Sequence, residues 1–300
     1  MTEIVQPANT QPETHPGTPV GQAERRSRSW GTIALYVVLT FVVLLYSLPG
    51  LGVLLTSFKT TEEIARDGLW SLPDALRFTN YFEAWVGGNV LVYARNSLLV
   101  TIPATIVSIS CGILTGYVFS KLRFRGSDIL FVFVVAGMFY PPQIVLIPLF
   151  RLFNLVHLYD TLWPMIIVHS AFGIPICTLV MRNFFATVPS AIREAAIIDG
   201  ANEWHVLSRV MLPISLPAIA VLATLQFTWI WNDFLWPIIF TQSDDMRTIM
   251  VGLASLKGQY SVAYGVQGAM ALIASVPTLI VFIFFQRYFI RGLTLGSVKG

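Results

Sequence analysis

The sequence predicts an all-α, polytopic membrane protein with six transmembrane helices and both termini on one side. Three observations lead there. Hydrophobic residues make up 55% of the 300 and charged ones only 12%, about half the roughly 25% of soluble domains. Six apolar segments reach the about 20 residues that a helix needs to cross a bilayer. Between the fourth and fifth of these lies a polar, helix-forming stretch, residues 189–217, which is too short to be a domain and too polar to lie in lipid.

Taken in order, residues 1–29 are polar and carry Pro7, Pro12, Pro16 and Pro19. They cannot bury a core and read as a disordered tail. Arg25, Arg26 and Arg28 follow, and the arginine pair resembles a twin-arginine export signal. The apolar run from Ile33 to Phe58 is too long for a signal peptide, so the charges are read as holding the first span at the cytoplasm. The spans are placed at 32–57, 96–120, 128–150, 161–181, 214–240 and 267–286, with larger loops at 58–95 and 241–266. Tyr140-Pro141-Pro142-Gln143 predicts a kink in the third span.

The Lys and Arg distribution sets the orientation. With the amino end inside, Arg25, Arg26, Arg28, Lys121, Arg123, Arg125, Arg182, Arg193, Arg209, Arg287, Arg291 and Lys299 face inward. Lys59, Arg66, Arg77, Arg95, Arg151, Arg247 and Lys257 face outward, which is 12 against 7 of the total of 19. Four of the seven sit in the long first loop, which weighs less in the positive-inside rule. Both termini and the 189–217 insert are therefore predicted to be cytoplasmic.

The chemistry carried by the spans is sparse. Apart from Asp128 at the very start of the third span, Asp233 is the one carboxylate and His169 the one imidazole in the predicted spans, where secondary transporters usually carry several ionisable groups. No G-x-x-x-x-G-K-[ST] occurs, so the chain has no P-loop of its own. His169 reads as a buried, hydrogen-bonded histidine without metal-ligand neighbours. Cys111 and Cys177 read as small apolar fillers. No basic stripe points to nucleic acid. An active transporter built on this chain needs an external motor, and the polar insert is where one could dock.

Within the insert, Ser190 is expected to cap a first helix, Gly200 to end it, and Asn202 to cap a second. Glu203 falls in the first turn of that second helix, where the macrodipole favours a negative charge. The second helix is expected to run to Pro213. Ala195 and Ala196 are small enough for another protein's surface to come close, and Glu194 offers it a charge.

Glu194-Ala195-Ala196, Gly200, Val210 and Leu212-Pro213 resemble the EAA loop of ABC importer membrane subunits, E-A-A-x3-G-x9-I-x-L-P, with every interval matched and valine for isoleucine. The ending QRYFIRGLTLGSVKG, Trp231-Asn232-Asp233 and Asn96-Ser97 look like the maltose-type second permease of carbohydrate ABC importers. The resemblance covers about residues 30–300. It implies the type I importer permease fold and a prokaryotic inner-membrane location. It also implies a second permease subunit, a dimer of ABC ATPase subunits that hold ATP and Mg, and an extracytoplasmic sugar-binding protein. On this reading the chain itself is not an enzyme, holds no cofactor, and has lipid as its remaining neighbour. Glu194, Ala195, Ala196, Asp199 and Gly200 would be the ATPase-coupling residues, the 241–266 loop would meet the binding protein, and the C-terminal tail would reach toward the ATPases. The substrate would be a mono- or short oligosaccharide, moved by alternating access.

On a helical wheel of the fifth span, Gln226, Trp229, Asn232, Asp233 and Trp236 share one arc of about 120°. Their amides, carboxylate and indoles could bind hydroxyls and the CH face of a pyranose, or equally hydrogen-bond between helices. A proton-coupled secondary sugar transporter is the alternative reading, and a membrane enzyme or assembly factor without transport a further one. The spacing of the insert separates both from the importer.

Overall fold

The computed structural model describes residues 30–122, 124–256 and 263–297, with the backbone alone for 289–297. The predicted tail, 1–29, lies outside the described residues. The chain divides into two compact units, 1–49 and 50–300. Of the first, the described part opens helix α1 (Trp30–Ser57), whose residues 30–50 are exposed and almost all apolar, as a lipid-facing helix must be.

The second unit is all helix and connecting turns among its described residues. The outer loop of the sequence reading is itself helical: α2 (Thr61–Asp67) and α3 (Thr79–Gly87) precede α4 (Val90–Lys121). The span therefore starts before the predicted residue 96. A capping box opens α2, Thr60 accepting from the Glu63 N–H and Glu63 from the Thr60 N–H. The fully buried Lys59 ammonium holds this loop together by donating to Gly68 O, Leu69 O and Ser71 Oγ at 3.1, 3.2 and 2.8 Å. Lys59→Met removes all three bonds, and a hydrogen bond to a charged group is worth roughly 1.5–3 kcal/mol. Limited proteolysis of the purified protein should then cut the 60–78 segment several times faster; an unchanged cleavage rate would refute this role.

The third span is broken. Helices α5 (Ser127–Ala136) and α6 (Pro142–Leu155), joined by a short 3-10 turn at Gly137–Phe139, meet at 91°. Pro141 and Pro142 supply no N–H to continue the ladder, and the residues before them are pushed toward extended backbone. The expected kink is thus a near right angle.

Helix α7 (Trp163–Thr187) packs along α4 in the largest helix–helix contact among the described residues. Ser108 meets Gly173, Gly112 meets Cys177 and Gly116 meets Met181, so the two helices run parallel in constant register. Small residues at i and i+4 let the backbones approach this closely. The Thr115 and Thr178 hydroxyls share a 2.7 Å hydrogen bond across the seam.

Helix α8 (Ser190–Ile198) follows. The chain then winds as α9 (Glu203–His205), a π-helical stretch Val206–Met211 and α10 (Leu212–Ile214), and turns 75° at Ser215 into α11 (Leu216–Trp231). Pro217 forces that turn, since its ring would collide with the carbonyl four residues back.

The predicted fifth span, 214–240, is not one helix. Helix α11 stops at Trp231, and α12 (Leu235–Phe240) restarts after Asn232, Asp233 and Phe234. The reason is again local: Pro237 has no N–H to donate to the Asp233 carbonyl in a continuing helix, and its ring would collide with that carbonyl. The Asp233 carboxylate instead accepts from the N–H groups of Leu235 and Trp236 at 3.2 and 3.1 Å. Helix α13 (Ile249–Ser255) and the last span, α14 (Tyr264–Ser297), complete the unit.

Three buried clusters join these elements. One, with Tyr117, Met181, Phe185, Val206, Leu207 and Met211, sits where α4 and α7 end against the insert. A second centres on Trp231, whose indole donates to Ala274 O at 2.9 Å. The third packs Trp236 and Phe240 against Phe153 and Met165.

Candidate functional site

The insert is a helical hairpin. Helix α8 begins at Ser190, but Ser190 is its first residue rather than its cap. Pro189 holds the cap position and makes no side-chain cap bond, because its ring carries no acceptor. The other end behaves as expected. Gly200 adopts φ +89°, and its N–H donates to Ile197 O at 2.9 Å while Ala201 N–H donates to Ala196 O at 3.0 Å. This pair of bonds is a Schellman closure, which turns the chain sharply without any partner. Asn202 then accepts from His205 N–H at 2.9 Å, the predicted cap.

Of the coupling residues inferred above, Glu194, Ala195, Asp199 and Gly200 are exposed and Ala196 is half-buried against the inner cluster. Ala196, Asp199, Gly200, His205 and Arg209 line a shallow cleft of about 350 Å³. Ile198 projects beside it at 84% exposed and Trp204 at 64%. A small-walled cleft rimmed by apolar side chains, on a polar hairpin, is the kind of surface another protein covers.

The hairpin is fastened to the spans by polar contacts that the sequence reading missed. Arg193 donates to both carboxylate oxygens of Glu203, the Nε contact measuring 3.2 Å, and the Tyr117 hydroxyl donates to Glu203 at 2.5 Å. That bond to Glu203 raises the Arg193 pKa above its ordinary value, against the opposing effect of burial. Lys121 Nζ donates to Val188 O at 2.6 Å. Glu203 thus does more than favour a helix dipole. The one sequence signal for this seam was Gly112-x-x-x-Gly116 in the second span, which marks where α7 comes close.

The five residues placed on one arc are not held as one face, since the helix that defined the arc ends at Trp231. Gln226 is buried and its amide lies 3.6 Å from Cys177 Sγ. Trp236 is buried and stacks on Phe240. Trp229 and Asn232 are exposed, Asn232 donating to Thr228 O at 2.8 Å. Asp233 lies 3.3 Å from His169 Nε2, with both side chains largely buried. The one carboxylate and the one imidazole inside the predicted spans, away from their ends, therefore face each other at the break in the fifth span.

Asn96 and Ser97 also find a use. Asn96 donates to Asp245 O and Arg247 O, and Ser97 Oγ accepts from Ile249 N–H, which holds the 244–249 segment against the start of α4. Asp160 grips the other side of that segment by accepting from Gln242 and Ser243 N–H at 2.8 and 2.9 Å.

Broken spans around a packed helical core, with a polar hairpin projecting from it, make a multi-pass helical membrane protein with a surface open to another protein. The model of the family described as "Binding-protein-dependent transport system inner membrane component" matches residues 108–295. The chain belongs to that family. It is 34% identical over 272 residues to the arabinooligosaccharides transport system permease protein AraQ of Bacillus subtilis, covering 89% of this chain and 96% of that one. It is 32% identical over 268 residues to the diacetylchitobiose uptake system permease protein NgcG of Streptomyces coelicolor, covering 89% and 87%. Among solved structures, a chain of a bacterial ABC transporter involved in import of the acidic polysaccharide alginate superposes with a TM-score of 0.72 at 24% identity, over 91% of this chain and all of that one. That likeness shows a shared fold.

Proposed function

We propose that this chain is one of two permease subunits of an ATP-driven sugar importer in a prokaryotic inner membrane, with both termini cytoplasmic. It moves mono- or short oligosaccharides by alternating access while a separate ATPase dimer, carrying ATP and Mg, hydrolyses nucleotide. An extracytoplasmic binding protein delivers the sugar. The observation that carries this reading is the self-closed hairpin at Ser190–Pro213, which exposes Glu194 and Ala195 and sets Asp199 and Gly200 in the wall of a cleft. The arabinooligosaccharide and diacetylchitobiose systems of the relatives support sugar as the cargo, and the alginate importer with its oligosaccharide-bound periplasmic protein supports the binding-protein partner.

Each step has a physical basis. A rigid hairpin transmits displacement, because a Schellman closure gives the turn a single geometry. Closure of the ATPases then rocks the helical core as a body. Trp229, Asn232 and Asp233, at the break in the fifth span, line the sugar path, with an indole for the pyranose face and polar groups for hydroxyls. Gln226 and Trp236 support them from the core.

The test is co-expression with the partner subunits and uptake into proteoliposomes. Glu194→Lys reverses the charge offered to the ATPase and should cut co-purifying ATPase by about tenfold, the equivalent of about 1.4 kcal/mol, without loss of the permease. Uptake should need ATP and survive an uncoupler. Uptake that collapses with the uncoupler and persists without the ATPases would instead make this a proton-coupled carrier.

A further inference from the structure

Three routes lead from the hairpin into the membrane core. One is the two-residue extended link of Val188 and Pro189, which joins it covalently to the end of α7 but not to α4. The other covalent one, up the fifth span, is mechanically poor. It passes through the π-helical turn Val206–Met211 and then the 75° bend at Ser215. π-turns and proline bends are the places where a helix yields. The third route is non-covalent and short, and it reaches α4. Glu203, at the start of the second arm, is held by Arg193 from the first arm and by Tyr117 from the last turns of α4. The Tyr117 ring is itself 3% exposed and packs edge-on against Phe185 of α7 at 5.9 Å. Lys121, one turn further along α4, reaches Val188 O where α7 gives way to the hairpin. Val206, Leu207 and Met211 fill the space between with apolar contact.

We propose that Arg193, Glu203 and Tyr117 form a strut which delivers displacement of the hairpin to the parallel α4–α7 pair rather than up the fifth span. They are positioning residues, and the inference rests on the importer reading. Arg193 and Glu203 lock the two arms into one body, so the hairpin cannot fold on itself under load. The Tyr117 hydroxyl ties that body to α4. The glycine seam at Gly112, Gly116 and Gly173 makes α4 and α7 move together, because interdigitated backbones cannot slide without collision. A bidentate guanidinium–carboxylate contact suits the task, since its fork geometry resists rotation as well as separation.

The experiment uses the reconstituted complex and reads sugar imported per ATP hydrolysed. Tyr117→Phe, which removes one hydroxyl, and Glu203→Gln should each lower that ratio about three- to tenfold while ATPase activity and ATPase co-purification stay within twofold of wild type. Arg193→Glu combined with Glu203→Arg should recover more of the ratio than either single change. A purely structural role would lower thermal stability and leave the ratio alone. Wild-type ratios in both Tyr117→Phe and Glu203→Gln would overturn the strut. If the wild-type complex shows no ATP-driven import, the importer reading has failed instead. The strut is then read separately, from spin labels at Leu114→Cys and Ile198→Cys in a Cys111→Ala, Cys177→Ala background. A distance distribution that broadens on Glu203→Gln supports it, and an unchanged width refutes it.

Discussion

Gly112→Leu is expected to abolish folding of the helical core. A Cβ added at Gly112 would stand 2.3 Å from the Cys177 Cβ and 2.7 Å from the Cys177 carbonyl carbon. Neither atom belongs to a flexible side-chain end, so α4 and α7 must move apart bodily. Overpacking by single methylenes already costs about 1–3 kcal/mol, and leucine adds four heavy atoms at a place where backbone is the obstacle. Separation also breaks the Thr115–Thr178 bond and opens the seam at Gly116, where an added Cβ would meet Met181 at 2.7 Å. The loss exceeds a reasonable share of the 5–15 kcal/mol that stabilises a typical fold. Gly50→Leu is the matched control, since nothing lies within 4 Å of a Cβ there. The measurement is the yield of monodisperse protein in detergent by size-exclusion chromatography. Near-normal yield for Gly50→Leu and near-zero for Gly112→Leu is the expected pair; equal yields would mean that the seam is not as close as the structure has it.

The second large effect is on Gly200→Pro. Proline fixes φ near −65°, whereas Gly200 sits at +89°. The substitution also removes the N–H that bonds Ile197 O, and it disfavours the helical geometry of Asp199 just before it. Together these cost about 3 kcal/mol, enough to lower the population of correctly formed hairpin by roughly a hundredfold. The spans are held by contacts elsewhere, so the permease should still be recovered, but sugar-stimulated ATP hydrolysis and import should both collapse. Gly200→Ala separates shape from bulk. No atom lies within 4 Å of its Cβ, so only the left-handed backbone is penalised, by roughly 1–2 kcal/mol. It should retain partial activity. Full sugar-stimulated ATPase activity in Gly200→Pro would disprove the coupling role of the turn.

Much of this was legible from residue order because it is a matter of local physics. Apolar runs of bilayer length became helices. Gly200 and Asn202 took up the turn and the cap that their side chains favour. Tyr140-Pro141-Pro142 bent the third span, more sharply than a kink. Misreadings arose where a local signal was present but outweighed by a periodic one. The fifth span looked continuous because its hydropathy is continuous, yet Asp233 four residues before Pro237 already marked its end. Pro217 likewise marked the bend at Ser215. The wheel drawn through 226–236 assumed a helix that the proline denies, and so grouped buried Gln226 and Trp236 with exposed Trp229 and Asn232. Ser190 has the residue type of a cap, but Pro189 before it holds that position.

Residue order alone therefore determined which segments are apolar enough for lipid and where the polar hairpin turns and restarts, at Gly200 and Asn202. Each depends on neighbours within about one turn of chain. What only the tertiary structure decided is how that hairpin is held and what it pushes on. Tyr117 and Glu203 are 86 residues apart, Thr115 and Thr178 are 63, and Lys121 and Val188 are 67. Side chains at such separations meet only because whole helices have packed. The partner of a buried or half-buried polar group is chosen by that packing, not by the residues beside it in the chain.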